Sequence, residues 1–149
     1  MSPAGMRHGE ISLRLGARLL QFVVERDFGK VLDSSTGFRL PGGNVRSPDV
    51  SFVASGRLPG RKLPEGFGEL APDLAVEVLS PEDDPRAVLD KVGEYLRAGA
   101  RLVWVIEPRK SRAVAYRSLT EVREIPESSS LDGGDVLPGF CYTLAELLA

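Results

Sequence analysis

Residues 72–96 of the chain read PDLAVEVLSPEDDPRAVLDKVGEYL. Apolar residues flank Glu77 from Leu74 to Leu79, which predicts a strand that is buried on at least one face. Strand alternation puts Glu77 on one face together with Asp73, Ala75 and Leu79. The opposite face is aliphatic and is the predicted core side: Leu74, Val76 and Val78. Because a buried carboxylate is costly without a partner, we expect Glu77 to point into a groove beside the core and to be compensated there.

An amphipathic helix is predicted to follow this strand. Asp84 can cap it, Pro85 suits its first turn, and Gly99 can end it. Its apolar positions recur at helical spacing: Val88, Val92, Tyr95 and Leu96. Lys91 lies at the border of this apolar face, so its stem can follow the core while its ammonium reaches toward Glu77.

Length and composition predict a single domain over residues 1–149, with 42% hydrophobic and 27% charged residues. The longest purely apolar run, Leu102–Ile106, is too short to span a membrane, and the N-terminus has no apolar targeting segment. One cysteine, Cys141, excludes a disulfide within the chain, so we expect a cytoplasmic protein. The net charge of −2 supplies no general attraction to nucleic acid, which counts against DNA binding.

The first third of the chain predicts a helix from Gly9 to Arg26 that ends near Gly29. Its main apolar face is expected to pack on a sheet: Ile11, Leu15, Leu19, Phe22 and Val23. A second apolar patch indicates a partner as well: Leu13, Leu20 and Val24. His8 and Glu10 open this helix, and we interpret both as structural, a helix-start histidine and a favourable first-turn carboxylate.

Short strands are predicted at Lys30–Leu32 and Gly37–Leu40, forming an antiparallel hairpin region with a turn at Pro41–Asn44. Residues 45–53 predict a further strand, with Val50 and Phe52 toward the core and Asp49 on the opposite face.

Asp49 and Glu77 are therefore two acids on two apolar strands, each expected to face away from the main core. At about 4 Å such a pair would repel by about 4 kcal/mol at an effective dielectric near 20. A shared metal, a proton or Lys91 must offset this repulsion. Ligand sets made only of oxygen favour a hard cation such as Mg²⁺.

Residues 54–71 contain too many Gly and Pro for regular structure, and we interpret them as a candidate lid or substrate loop. The run Leu102–Ile106 predicts a central strand that is parallel to the Glu77 strand. The rest of the chain predicts two strands at 112–117 and 120–125, then a loop at 128–134. A last helix is predicted at 143–148, where Thr143 and Glu146 have the spacing of a capping box. Basic residues in the loop at 54–71 and around the turn that follows the central strand are interpreted as surface charges: Arg57, Arg61, Lys62, Arg109, Lys110 and Arg112.

Four segments in this order resemble the Uma2 family of restriction-type endonucleases, also described as a domain of unknown function. They are RSPDVSFV (46–53), PDLAVEVLSP (72–81), KVGEYLRAGARLVWVIEP (91–108) and DVLPGFCYTLAELL (135–148). The resemblance runs from about His8 to the C-terminus. It implies an α/β fold of mixed α+β type: the restriction-endonuclease-like core of PD-(D/E)xK nucleases, a mixed sheet flanked by helices that holds a divalent metal at an acidic site.

The resemblance implies specific site residues. It places the family aspartate at Asp49 and the glutamate of the second motif at Glu77, while Leu79 stands where the lysine of Glu-x-Lys is usual. Members of the family resemble this chain in carrying that lysine on the following helix, at the position of Lys91. The resemblance leaves the roles of Glu10 and Glu107 open. It also implies an N-terminal segment before the His8 helix, whose absence would either leave one sheet edge open or reflect the choice of start site.

The residues and the resemblance agree on the expected chemistry. Asp49, Glu77 and the backbone carbonyl of Val78 would coordinate Mg²⁺ or Mn²⁺, and Lys91 would assist the hydrolysis of nucleic-acid phosphodiesters, with DNA as the expected partner. The alternative is a catalytically inactive scaffold or regulatory binding module, favoured by the acidic pI and the missing Glu-x-Lys. The two-sided first helix and an exposed sheet edge predict a homodimer.

Overall fold

A computed structural model describes residues 3–149, and in it a six-stranded sheet lies between two helices. The helices are α1 (Met6–Arg26), α2 (Pro85–Arg97) and α3 (Leu144–Leu148). The strands of the central sheet are β1 (Gly29–Leu32), β4 (Val50–Ala54), β5 (Leu74–Val78), β6 (Leu102–Glu107), β7 (Arg112–Tyr116) and β8 (Val122–Pro126). The strands of two small hairpins are β2 (Phe38–Arg39) and β3 (Val45–Arg46), and β9 (Ser130–Asp132) and β10 (Cys141–Thr143).

The central sheet has the order β1-β4-β5-β6-β7-β8. Strands β5 and β6 are parallel and are joined through α2, as their spacing in the sequence predicts. The neighbours on both sides are antiparallel, so the sheet is mixed but mostly antiparallel. The predicted mixed sheet with flanking helices is confirmed.

Both faces of this sheet are packed. Helix α1 covers one face, where Leu15 and Leu19 belong to the same buried cluster as Val76 and Trp104. Helix α2 covers the other face, where Val92 belongs to the same buried cluster as Val105. Strand β5 is consequently buried at all five positions, so the expectation of a single core side was incomplete. Glu77 lies on the α2 side, in a packed layer.

Trp104 is fully buried, as its place in an apolar run predicts. Its indole Nε1 has no hydrogen-bond partner among residues 3–149.

Helix α1 ends at Arg26 as predicted, but it begins at Met6, three residues before the predicted start, and Gly29 does not end it. Asp27 adopts the left-handed conformation with φ 52° and serves as its C-cap, while Gly29 belongs to β1. A Cβ atom at Gly29 would lie 2.1 Å from the carbonyl oxygen of Val53. Glycine is thus needed here for the close approach of β1 to β4 and not to end a helix.

The region 30–53 forms two separate pairings. Strand β1 pairs with β4, whereas β2 and β3 form their own hairpin around the predicted turn at 41–44. The single strand predicted from Val45 to Val53 is therefore wrong, since β3 and β4 lie in different sheets with Ser47, Pro48 and Asp49 between them. Proline lacks an N–H donor and restricts the residue before it, which explains a break at this point.

The C-terminal part matches the prediction for β7 and for the edge strand β8. The loop predicted at 128–134 is wrong in part, because β9 lies within it and pairs with β10. Helix α3 forms, but in the described part of the chain the Thr143 side chain makes no capping hydrogen bond. Strands β9 and β10 have three residues each, which is too short to show alternation, so their pairing could hardly be predicted from the sequence.

The loop at 54–71 contains two short 3-10 turns, Ser55–Arg57 and Pro59–Arg61. Buried Asp73 anchors its base by accepting from the Ala54 N–H at 2.7 Å and from Arg57 at 2.9 Å. Further along, the loop lines a cavity that is separate from Asp49, Glu77 and Lys91, since none of these three residues lines it. Across residues 3–149, no helix combines the length and apolarity needed to cross a bilayer.

Candidate active site

The two acids lie at one end of adjacent antiparallel strands. Asp49 precedes β4, and its N–H donates to the carbonyl of Val76 at 2.9 Å. Because Val50 is paired with Val76, Asp49 stands opposite Glu77, one step beyond the last registered pair. Asp49 Oδ2 also accepts a 2.7 Å hydrogen bond from the N–H of Val78. The structure thus brings Asp49, Glu77 and Val78 together.

Helix α2 supplies two donors to the Glu77 carboxylate. Lys91 Nζ lies 3.3 Å from Oε1, and the Tyr95 hydroxyl donates to Oε2 at 2.9 Å. These residues are four apart and therefore share one helix face. The helix begins as predicted, since Asp84 accepts from the Arg86 N–H and Pro85 is the first helical residue. The sequence prediction that Lys91 reaches Glu77 is correct in geometry.

Burial dominates the electrostatics of Glu77, which is 8% exposed. Burial raises the pKa of its carboxyl group, Lys91 opposes that rise, and the negative charge of Asp49 adds to it. Burial and the Glu77 charge also raise the pKa of Tyr95, so its phenol stays protonated and donates. Burial is therefore the main cause of the raised Glu77 pKa, and the charge of Asp49 is a smaller one.

His8 belongs to this site, although the sequence suggested only a structural role at the start of a helix. Its Nε2 lies 3.3 Å from Asp49 Oδ1, and the two side chains are 16% and 18% exposed. Helix α1 thus reaches Asp49, whereas Glu77 is contacted from α2 on the other side of the sheet. A groove of about 530 Å³ runs from His8 and Asp49 along the Leu13 and Leu20 side of α1.

A second cluster fixes α2 against the β2–β3 hairpin. Glu94 accepts from Arg46 at 2.9 and 2.7 Å and from Asn44 at 2.9 Å. Arg46 lowers the pKa of Glu94 through these bonds. This clamp, which the sequence did not predict, holds the helix turn that carries Tyr95.

Two further acids are held by arginines. Glu10 is exposed and lies 3.9 Å from Arg14, whereas Glu107 at the end of β6 binds Arg112. Among the basic residues interpreted as surface charges, Arg57 pairs with Asp73 at 2.9 Å and Arg61 pairs with Asp27 at 2.8 Å. The exposed Arg61 pair agrees with that interpretation, whereas Arg57 departs from it because its partner Asp73 is buried.

The donor set near Asp49 fits a hard divalent cation. Mg²⁺ is usually held by one or two carboxylates and keeps several waters. Within residues 3–149, no three His, Cys, Asp or Glu side chains converge as a ready metal centre. The protein would therefore supply two carboxylates and a backbone carbonyl, and water would supply the remaining ligands. A cation bound here would favour the ionised form of Glu77, which burial disfavours.

Comparison with known proteins agrees with this fold. The chain is similar to a crystal structure of a "putative nuclease belonging to DUF820" from Anabaena variabilis ATCC 29413, with a TM-score of 0.85 and 19% identity over 99% of this chain and 83% of that chain. At that identity the likeness establishes the fold. None of the curated proteins compared with the chain matches it.

The sequence resemblance is confirmed independently of the fold. A family model described as "Uma2: Putative restriction endonuclease" matches residues 1–145, a span that includes both acid-bearing strands and the lysine helix. This chain therefore belongs to the Uma2 family.

Proposed function

We propose that this protein is a metal-dependent endonuclease that hydrolyses phosphodiester bonds in nucleic acid, with DNA as its substrate. One observation carries the proposal: Asp49 and Glu77 lie on adjacent strands at one end of the sheet, with the Lys91 ammonium 3.3 Å from Glu77. Membership of a family described as restriction endonucleases supports a hydrolase of this class.

In this proposal, Asp49 and Glu77 hold Mg²⁺ or Mn²⁺ together with the backbone carbonyl of Val78. A divalent cation supplies a bound water of lowered pKa and neutralises charge that grows on the phosphate. The protein contributes the orientation of the ligands. The Val78 N–H fixes one oxygen of Asp49 at 2.7 Å, and His8 approaches the other at 3.3 Å.

Lys91 is suited to act on the substrate. Its ammonium has three N–H donors, and one hydrogen bond to Glu77 leaves the others for water or a phosphate oxygen. Its side chain is 34% exposed, whereas that of Glu77 is 10% exposed. The lysine therefore bridges the buried carboxylate and the solvent side, where a nucleic-acid strand would lie.

The alternative, an inactive scaffold or regulatory binding module, is favoured by the net charge of −2 and by Leu79 at the usual lysine position. The two proposals differ in metal binding, because a bare binding module has no reason to hold Mn²⁺ between Asp49 and Glu77.

Nicking of supercoiled DNA tests the function, with single-stranded DNA and RNA as parallel substrates. Reactions contain Mg²⁺, Mn²⁺ or a chelator at low salt, so that weak electrostatic binding is not lost. We expect cleavage with metal and none with chelator. No cleavage together with no calorimetric heat for Mn²⁺ would favour the scaffold.

We also propose a homodimer, which would present two sites to two strands. Its basis is the exposed apolar side of α1, where Leu13, Leu20 and Val24 are 74%, 49% and 66% exposed. Sedimentation of the wild type and of Leu13→Glu tests it, and a monomeric wild type contradicts it.

A further inference from the structure

Tyr95 is a buried residue with a polar group directed at the candidate site. Its side chain is fully buried on the sheet-facing side of α2, and its hydroxyl donates to Glu77 Oε2 at 2.9 Å. The function proposed above uses Asp49, Glu77 and Lys91, and it leaves this hydroxyl without a role.

The surroundings of Tyr95 do not require a phenol. Its ring packs in an apolar cluster with Leu40, Val92, Val103 and Val105, where phenylalanine would fill the same volume. A buried tyrosine hydroxyl needs a hydrogen-bond partner, and here that partner is the carboxylate. The hydroxyl therefore serves the contact with Glu77, whereas the core needs only the ring.

The two donors on Glu77 differ in what can displace them. Lys91 is charged and one third exposed, so water or a phosphate oxygen can compete for its ammonium. Tyr95 is neutral and enclosed, so its hydrogen bond persists when Lys91 turns to another acceptor. The Tyr95 bond consequently holds Glu77 Oε2 in place and leaves Oε1 as the oxygen on the Lys91 side.

We propose that Tyr95 is a positioning residue, which fixes the Glu77 carboxylate in the orientation that binds the divalent cation. This inference rests on the proposed function, in which Glu77 is a metal ligand. The Glu94 clamp supports it, because Arg46 and Asn44 hold the helix at the residue next to Tyr95. Hydrogen-bonded partners of ligating carboxylates commonly tune metal affinity in this way.

The test uses Tyr95→Phe, which removes only the hydroxyl. Tyr116→Phe is the matched control, since Tyr116 packs at the edge of the same cluster. Calorimetric titration with Mn²⁺ should give a Kd raised about 10- to 100-fold for Tyr95→Phe and an unchanged Kd for Tyr116→Phe. In the nicking assay at saturating Mn²⁺, Tyr95→Phe should lower kcat and leave the KM for DNA unchanged.

A second measurement needs no metal. Urea unfolding of Tyr95→Phe, Glu77→Gln and the double variant forms a cycle in metal-free protein, and we expect the two changes to be non-additive. Additive effects would overturn the inference, because the hydroxyl would then not act on Glu77.

The outcomes separate this inference from the proposed function. If the wild type binds Mn²⁺ and Tyr95→Phe binds it equally well, the positioning role is wrong while the metal site stands. If Tyr95→Phe loses stability without a change in the Kd for Mn²⁺, the hydroxyl is structural and the inference is overturned. If the wild type binds no Mn²⁺, the proposed function fails and the positioning role fails with it, even where the metal-free cycle shows coupling.

Discussion

Asp49 Oδ2 accepts a 2.7 Å hydrogen bond from the backbone N–H of Val78, the residue that follows Glu77 on the neighbouring strand. The Asp49 side chain thus satisfies the Val78 N–H at the point where the backbone pairing of β4 and β5 ends. This bond fixes Asp49 beside Glu77 without using all of its acceptor capacity, because each carboxylate oxygen has two lone pairs. Asp49 can therefore be structural and a metal ligand at once.

Asp49→Asn separates these two roles. The amide oxygen can still accept from the Val78 N–H, so we expect the free energy of unfolding to change by less than about 1 kcal/mol. The loss of negative charge should weaken Mn²⁺ binding at least about tenfold, measured by calorimetry. Asp132→Asn is the matched control, since exposed Asp132 also accepts a backbone N–H, from Gly134 at 2.8 Å. Wild-type Mn²⁺ affinity in Asp49→Asn would remove Asp49 from the site.

Gly29→Ala tests the close approach of β1 to β4. An added Cβ would lie 2.1 Å from the Val53 carbonyl oxygen and 2.9 Å from the Phe52 ring, so the two strands must separate. We expect a loss of about 2 kcal/mol or more in urea unfolding. At Gly56 an added Cβ would meet nothing within 4 Å, and Gly56→Ala is the control. Equal unfolding midpoints for the two variants would mean that the edge strand adapts without cost.

The β5–α2–β6 unit was predictable because its signals are local. Asp84 and Pro85 mark the helix start, Gly99 follows its end with φ 112°, and the run 102–106 marks the next strand. Since the strand and the helix are consecutive, the meeting of Glu77 and Lys91 follows from their periodicities alone. Tyr95 lies four residues after Lys91 on the same helix, so its position near Glu77 follows from the same periodicity. Its apolar ring, however, predicts only a place in the core.

The remaining contacts depend on packing between segments distant in the sequence. His8 reaches Asp49 only because α1 packs across the sheet, and Arg46 reaches Glu94 only because the β2–β3 hairpin folds onto α2. No spacing along the chain encodes either contact. Alternation likewise continued across Ser47 and Pro48, which hid the change from one sheet to another.

Glu77→Gln should abolish metal-dependent cleavage and leave the metal-free fold as stable as the wild type or more stable by about 1 kcal/mol. The pKa of Glu77 is raised in the folded state, chiefly by burial, so the folded protein holds this proton more tightly than the unfolded chain does. Wild-type stability should therefore fall relative to Glu77→Gln as the pH rises above the ordinary carboxyl pKa of 4.5.

Urea unfolding between pH 4 and pH 8 measures this difference, with the exposed Glu127→Gln as the control variant. Saturating Mn²⁺ should make the wild type more stable than Glu77→Gln, because only the wild type would bind the metal. Equal cleavage by wild type and Glu77→Gln would indicate another site, and a difference that shrinks with rising pH would contradict the assigned cause.

Lys91→Ala should separate catalysis from metal binding. Its ammonium donates to Glu77 at 3.3 Å and has further donors for water or phosphate, so its removal should lower kcat by about 10²- to 10³-fold, as the loss of one preorganised donor does elsewhere. Mn²⁺ binding should be retained, because the Tyr95 hydroxyl still holds Glu77 at 2.9 Å and a competing positive charge is gone. Single-turnover nicking at saturating Mn²⁺, paired with calorimetry, measures both quantities, and exposed Lys30→Ala is the control. If Lys91→Ala loses Mn²⁺ binding in proportion to its cleavage rate, the lysine acts by orienting Glu77 and not on the substrate. The separate roles proposed for Lys91 and Tyr95 would then be wrong.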